Sequence, residues 1–82
     1  EAYPNPFNPQ TKFHFATATS QRVTVKVFNA LGKQVATLYQ GTVPANETQF
    51  ITFEGNGLAS GLYLVQVLGQ NFSAVRRMNL VK

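Results

Sequence analysis

Few side chains in this sequence could carry out acid-base or nucleophilic chemistry. His14 is the only histidine, and the alternating pattern around it places it on the polar face of a short strand, as a surface residue. Ser60 precedes a glycine, but a nucleophile elbow needs G-x-S-x-G at a strand-to-helix turn, together with a histidine and an acid. The carboxylates are Glu1, Glu47 and Glu54. No two of them share a strand face, so they do not form the acid and base pair of a glycosidase. The sequence therefore predicts that the protein is not an enzyme.

Metal and cofactor sites are equally unsupported. The chain has no cysteine, a single histidine and no aspartate, so neither a zinc site nor an EF-hand loop can be built from a local motif. The glycines that could form a phosphate-binding loop precede predicted strands instead of helices. We expect no metal and no cofactor.

The charge balance is basic but dispersed. Seven Lys or Arg residues against three acidic ones give a net charge of +4, which makes anionic partners plausible. The only adjacent cations are Arg76 and Arg77, so a solvated surface is favoured over a dedicated anion site. Arg22 and Lys26 lie near a single exposed aromatic, Phe28, which is a thin platform for stacking bases. The sequence predicts no nucleic-acid partner.

The length of 82 residues predicts one small domain over residues 1–82. No apolar run approaches the roughly 20 residues that a membrane-spanning helix needs, and no amino-terminal signal peptide is evident. If the protein is exported, we expect its leader to lie upstream on a longer chain.

Alternating apolar and polar residues predict strands throughout the chain. The clearest is residues 22–28, in which Val23, Val25 and Val27 share one face. Turn signals recur about every 8 to 12 residues, as in all-β sandwiches. Counting the amino-terminal arm, the sequence predicts an immunoglobulin-like β-sandwich of about seven antiparallel strands, of which six follow the arm, at residues 11–16, 22–28, 33–39, 48–53, 62–68 and 72–81.

Two strands depart from simple alternation. Val35 and Leu38 are three positions apart, which predicts a β-bulge, with a helical turn as the alternative. In the last strand we expect Met78 and Leu80 to point inward and Arg77 and Asn79 outward, with a shift of phase near Val75 and Arg76.

The stretch LASGLY at residues 58–63 is the most distinctive turn. Leu58 is expected to pack in the core and Gly61 to supply backbone freedom. Tyr63 begins an apolar strand, and in immunoglobulin-like sandwiches a tyrosine at this place bonds its hydroxyl to upstream backbone. On the opposite face of this strand, Leu62, Leu64 and Leu68 predict either burial on both sides or a covered neighbour.

The first ten residues hold three of the four prolines. Such spacing resists both helix and central strand. With Tyr3 and Phe7 as apolar anchors, residues 1–10 are expected to form an extended arm that docks on the domain, the alternative being a flexible linker.

Four stretches together resemble a known family: residues 3–9 (YPNPFNP), 27–35 (VFNALGKQV), 58–63 (LASGLY) and 77–82 (RMNLVK). In order and spacing they are similar to the type A carboxy-terminal sorting domain of the type IX (Por) secretion system, over essentially the whole chain. Flagellar hook-capping proteins have a related sandwich and a similar N-A-L-G turn, but the proline arm and the terminal lysine favour the sorting family. Many members of the sorting family carry Trp and an acidic residue before Gly55, where this chain has Phe53 and Glu54.

The resemblance implies a role in transport. Sorting domains of this kind end large exported proteins and are recognised, folded, in the periplasm by the outer-membrane translocon and its shuttle proteins. A sortase-like peptidase often removes them at the cell surface, where the cargo is joined to anionic lipopolysaccharide or released. By position, the implied recognition residues are Pro4, Asn5, Pro6, Leu31, Gly32, Ser60, Gly61, Tyr63, Arg77, Met78, Leu80 and Lys82.

Most of the implied recognition residues in the middle of the chain, Leu31 to Tyr63, are interpreted as turn and core positions. Only the arm and the tail offer obvious surfaces to a partner. The main alternative function is an accessory adhesion or glycan-binding module of a secreted hydrolase, which would need an exposed aromatic strip on one sheet face. A simple structural spacer is a third possibility.

Overall fold

The computed structural model describes residues 10–81. Within that range the chain forms six strands and no helix that could span a membrane. The predicted arm falls outside the described residues except for Gln10, which begins the first strand. In chain order the strands are β1 (Gln10–Phe15), β2 (Gln21–Asn29), β3 (Gln34–Val43), β4 (Gln49–Glu54), β5 (Gly61–Leu68) and β6 (Ser73–Leu80).

The strands form two antiparallel sheets that enclose the core. One sheet has four strands in the order β3-β2-β5-β6, and the other pairs β1 with β4. This arrangement confirms the predicted all-β sandwich. The buried core contains Val23, Val25, Val27, Val43, Phe53, Tyr63, Val65, Val67 and Leu80.

The centre of the core follows directly from alternation. Val23, Val25 and Val27 of β2 are each 0% exposed, while Arg22 on the opposite face is exposed. Full burial of one such side chain stabilises the fold by roughly 1.5–3 kcal/mol. The strand is therefore fixed in register, because a slip of one residue would move its valines into solvent.

The predicted bulge in β3 is confirmed. The pairing of β3 with β2 shifts register twice, passing over Leu38 and then Val35. Both residues pack against the core as partly buried side chains. The two bulges thus turn both apolar residues inward although they are three positions apart, and the helical alternative is wrong.

The predicted shift of phase in β6 is wrong. β6 pairs continuously with β5, with Val75 opposite Gln66 and Arg76 opposite Val65. Arg76 therefore lies on the inward side of the sheet, yet it is exposed. A charged residue is tolerated there because β6 is the edge strand, and beside it a groove of about 550 Å³ opens towards β1.

β5 is fully buried on one side only, that of Tyr63, Val65 and Val67. Leu62, Leu64 and Leu68 are half-buried, and they point away from the core on what we call the outer face of the four-stranded sheet. The other described sheet, β1 with β4, packs on the inner face, where the ring of Phe53 lies beside that of Tyr63. No described strand covers the outer face.

Candidate recognition site

Antiparallel pairing gathers the distinctive turns at one end of the sandwich. The end of β2 meets the start of β5, with Asn29 opposite Tyr63, and Gly61 lies opposite Leu80 at the end of β6. β1 also begins here, since Gln10 pairs with Glu54. We call this region the Tyr63 end; it comprises residues 10, 29–33, 54–63 and 78–81.

The Tyr63 end brings together most of the described residues that the resemblance implied. Arg77 lies immediately beside it, on the outer face, opposite Leu64. Pro4, Asn5, Pro6 and Lys82 lie outside the described residues. The implied residues within the Tyr63 end are Leu31, Gly32, Ser60, Gly61, Tyr63, Met78 and Leu80.

A single asparagine shapes the turn between β2 and β3. The Asn29 side-chain oxygen Oδ1 accepts hydrogen bonds from the backbone N–H groups of Leu31 at 3.0 Å and Lys33 at 2.9 Å. The Gly32 N–H donates to the Asn29 carbonyl at 2.9 Å, and the φ of 85° at Gly32 is one that glycine adopts without strain. The turn is therefore fixed by Asn29 and Gly32, with no contribution from the side chain of Leu31.

Leu31 projects from this fixed turn into solvent, with 94% of its surface exposed. The prediction that Leu31 lies in a turn is confirmed, but its exposure gives this turn a surface, which the sequence had assigned only to the arm and the tail. The sequence did contain the signal, because an asparagine two positions before a residue can bond that residue's N–H and fix the backbone locally. A leucine held that way need not pack to be ordered.

The tyrosine at the start of β5 behaves as predicted. Tyr63 is 5% exposed, and its hydroxyl donates a hydrogen bond of 2.7 Å to the carbonyl of Ala59. Gly61 has a φ of 153°, which side chains with a Cβ rarely adopt. Leu58 packs against the core as a partly buried residue. The stretch is thus an architectural corner that joins the two sheets.

At the end of β6, inward and outward residues separate as expected. Leu80 is buried and Met78 is half-buried, whereas Arg77 and Asn79 are exposed. The Leu80 side chain lies directly on Gly55, where a Cβ would overlap it. Leu80 and Met78 therefore serve packing, and Arg77 is the implied residue of β6 that a partner can reach.

The described side chains that exchange protons near neutral pH lie on different elements. No group of three metal-ligating side chains occurs among residues 10–81. His14 is exposed on β1, with its ring 6.0 Å from that of Phe50. Glu47 lies between β3 and β4, and Glu54 ends β4. The Tyr63 end exposes an apolar side chain, Leu31, and a basic side chain, Arg77, is exposed immediately beside it.

The described part of the chain is an antiparallel β-sandwich whose Tyr63 end exposes an apolar side chain, Leu31. The family model described as the secretion system C-terminal sorting domain matches residues 1–81, and the chain belongs to this family. No curated protein and no solved structure matched it. The domain is a C-terminal sorting signal of type IX secretion, which implies interaction with that machinery and export to the cell surface or the extracellular space.

Proposed function

We propose that the Tyr63 end is the surface by which the type IX machinery recognises this domain. The observation that carries the proposal is the exposed Leu31 on a turn that Asn29 holds in place. Because hydrogen bonds already fix the backbone at Leu31, binding has to order little more than the leucine side chain, so much of the burial energy is available to a complex.

The implied residues then divide into two roles. Leu31, Ser60 and Arg77 are exposed and would contact the partner. The others would act by holding the surface in shape, through backbone conformation or core packing: Gly32, Gly61, Tyr63, Met78 and Leu80. Pro4, Asn5, Pro6 and Lys82 are further proposed contacts on the arm and tail, and the docking of residues 1–10 on the domain stays a prediction.

The proposed partners follow the family resemblance. The folded domain would cross the periplasm, bind the outer-membrane translocon and shuttle proteins, and be removed by a sortase-like peptidase at or upstream of Glu1. The cargo would then be joined to anionic lipopolysaccharide or released.

The decisive experiment replaces Leu31 by serine in a reporter joined ahead of Glu1 and expressed in a bacterium with type IX secretion. Losing the burial of a leucine, roughly 1.5–3 kcal/mol, should reduce surface delivery about tenfold or more. Because Leu31 is exposed, the free energy of unfolding should change by less than about 0.5 kcal/mol.

Phe50→Ser is the matched control, since Phe50 is 77% exposed on the other sheet. Its delivery should equal that of the unchanged chain. Equal delivery by Leu31→Ser and Phe50→Ser would refute the proposal.

The glycan-binding alternative is not favoured. It would need an aromatic strip, and the strand faces of the described residues present one strongly exposed aromatic, Phe50, beside His14. Membership of the sorting family accounts for the distinctive turns directly.

A further inference from the structure

The outer face of the four-stranded sheet carries a band of apolar side chains. Phe28 on β2 lies directly opposite Leu64 on β5, and Leu62 and Leu68 share the same side of β5. Val75 on β6 pairs with Gln66 of the same face and is 57% exposed. No described strand packs on this band.

Every charged side chain on the same face, among the described residues, is basic. Lys26 and Arg22 lie on it because they alternate with the buried valines of β2, and Arg77 lies opposite Leu64 on β6. The described carboxylates, Glu47 and Glu54, are in the β3–β4 loop and on β4 of the other sheet. The complementary surface must therefore be negative.

Register places the cations around the apolar band. Arg77, Leu64 and Phe28 form one row across three adjacent strands, about 5 Å apart from strand to strand. Lys26 is two residues before Phe28 on β2. The row also leads to the Tyr63 end, because Phe28 precedes Asn29 and the turn that presents Leu31.

The shape of the face favours a protein over a membrane. Phe28, Leu62 and Leu64 are half-buried, so they do not protrude as side chains that insert between lipids do. An apolar band with a charged border is typical of a protein interface, in which charge complementarity supplies specificity.

We propose that the outer face is the second half of the recognition surface, and that it binds a protein of the export machinery through an apolar patch bordered by carboxylates. The inference rests on the proposed function of the Tyr63 end and adds to it the face and the chemistry of the partner.

The first test is a charge reversal at two positions, compared with a control pair that shares strand β6 with it. Lys26→Glu with Arg77→Glu changes two cations of the outer face. Lys12→Glu with Arg76→Glu makes the same change of net charge at two exposed positions off this face. The assay is binding of the reporter fusion to the solubilised outer-membrane translocon of a type IX host.

The outer-face pair should weaken binding about tenfold or more and should reduce its dependence on salt, since fewer charge contacts remain to be screened. The control pair should bind like the unchanged chain. Equal binding by the two double variants would overturn the inference. If Leu31→Ser still blocks export in that case, the proposed function stands and only the inference falls; if neither change matters, both fall.

A photoreactive benzoylphenylalanine at Leu64 identifies the occupant. Crosslinking to a translocon or shuttle subunit, lost in the Lys26→Glu and Arg77→Glu variant, supports the inference. Crosslinking to residues 1–9 of the same chain, or to a second copy, overturns it. Charge-dependent binding to phosphatidylglycerol vesicles without binding to the translocon would also overturn it.

Discussion

The two ends of the sandwich are held by hydrogen bonds of different reach. At the Tyr63 end, the bonds of the Asn29 side chain with Leu31 and Lys33 and of the Tyr63 hydroxyl with Ala59 stay within their own turns. At the opposite end, which we call the Gln21 end (residues 16–21, 44–48 and 69–72), two hydrogen bonds join separate loops. The Gln21 side chain accepts from the N–H of Gln70, 49 residues away.

The difference indicates that the Tyr63 end presents side chains to a partner, whereas the Gln21 end holds the loops of the fold together. At the Gln21 end the buried Gln21 also donates to Thr19, and the Asn46 N–H donates to the carbonyl of Thr17. Three loops are thus tied to one another, so a change in one affects its neighbours. Turns that are each fixed locally can display side chains such as Leu31 and can vary without altering the sheets.

The largest effect should come from removing the core contact of the Tyr63 end. Leu80→Ala leaves a cavity beside Gly55 and should cost about 2–5 kcal/mol of unfolding free energy, measured by urea denaturation. Val81→Ala is the control, because Val81 is 77% exposed and its truncation should stay within about 0.5 kcal/mol. Similar losses in the two variants would show that Leu80 does not serve the core.

The next effect tests the Gln21 end. Gln21→Ala leaves the N–H of Gln70 without its acceptor and should cost about 1–3 kcal/mol. Delivery per folded molecule should be unchanged, because no proposed contact lies there. Gln34→Ala is the control: its bond to Thr37 is exposed, so stability should hold within about 0.5 kcal/mol. A loss of delivery by folded Gln21→Ala protein would break the separation between the ends.

A smaller stability effect, with a larger effect on export, is expected at Asn29. Asn29→Ala removes the acceptor of two hydrogen bonds at an exposed turn, which costs about 1–2 kcal/mol and frees the backbone that holds Leu31. Surface delivery should fall even when most molecules are folded. The Asn29→Asp variant keeps an acceptor oxygen and should be delivered normally. Normal delivery of the Asn29→Ala variant, with loss of delivery in the Asn29→Asp variant, would contradict the role assigned to this turn.

The sequence predicted the architecture better than the surface. Alternation identified the valines of β2 and the inward pair Met78 and Leu80, because burial imposes a period of two on a strand. Alternation failed at Arg76, which lies on the inward side of the sheet and is nevertheless exposed. An edge strand can expose an inward residue, and the local pattern does not show which strand lies at an edge. The sequence placed Leu31 correctly in a turn but missed the surface there, because an exposed leucine differs from a buried one only through its surroundings.

The smallest predicted change tests whether the corner at Tyr63 is structural or recognised. Tyr63→Phe removes one buried hydrogen bond, to the carbonyl of Ala59, and should lower the unfolding free energy by about 1 kcal/mol. Tyr39→Phe is the control, because its hydroxyl lies 3.4 Å from the Thr42 carbonyl at an exposed site, so its loss should cost less than about 0.5 kcal/mol.

Both tyrosine variants should be delivered normally at temperatures where they are folded. The Tyr63 hydroxyl points to the backbone of its own corner, so a partner at the Tyr63 end would meet the turn that this bond shapes and not the hydroxyl itself. Loss of delivery in a Tyr63→Phe protein of unchanged stability would place the hydroxyl in the interface. Tyr63 would then belong with the residues that contact the partner and not with those that hold the surface in shape.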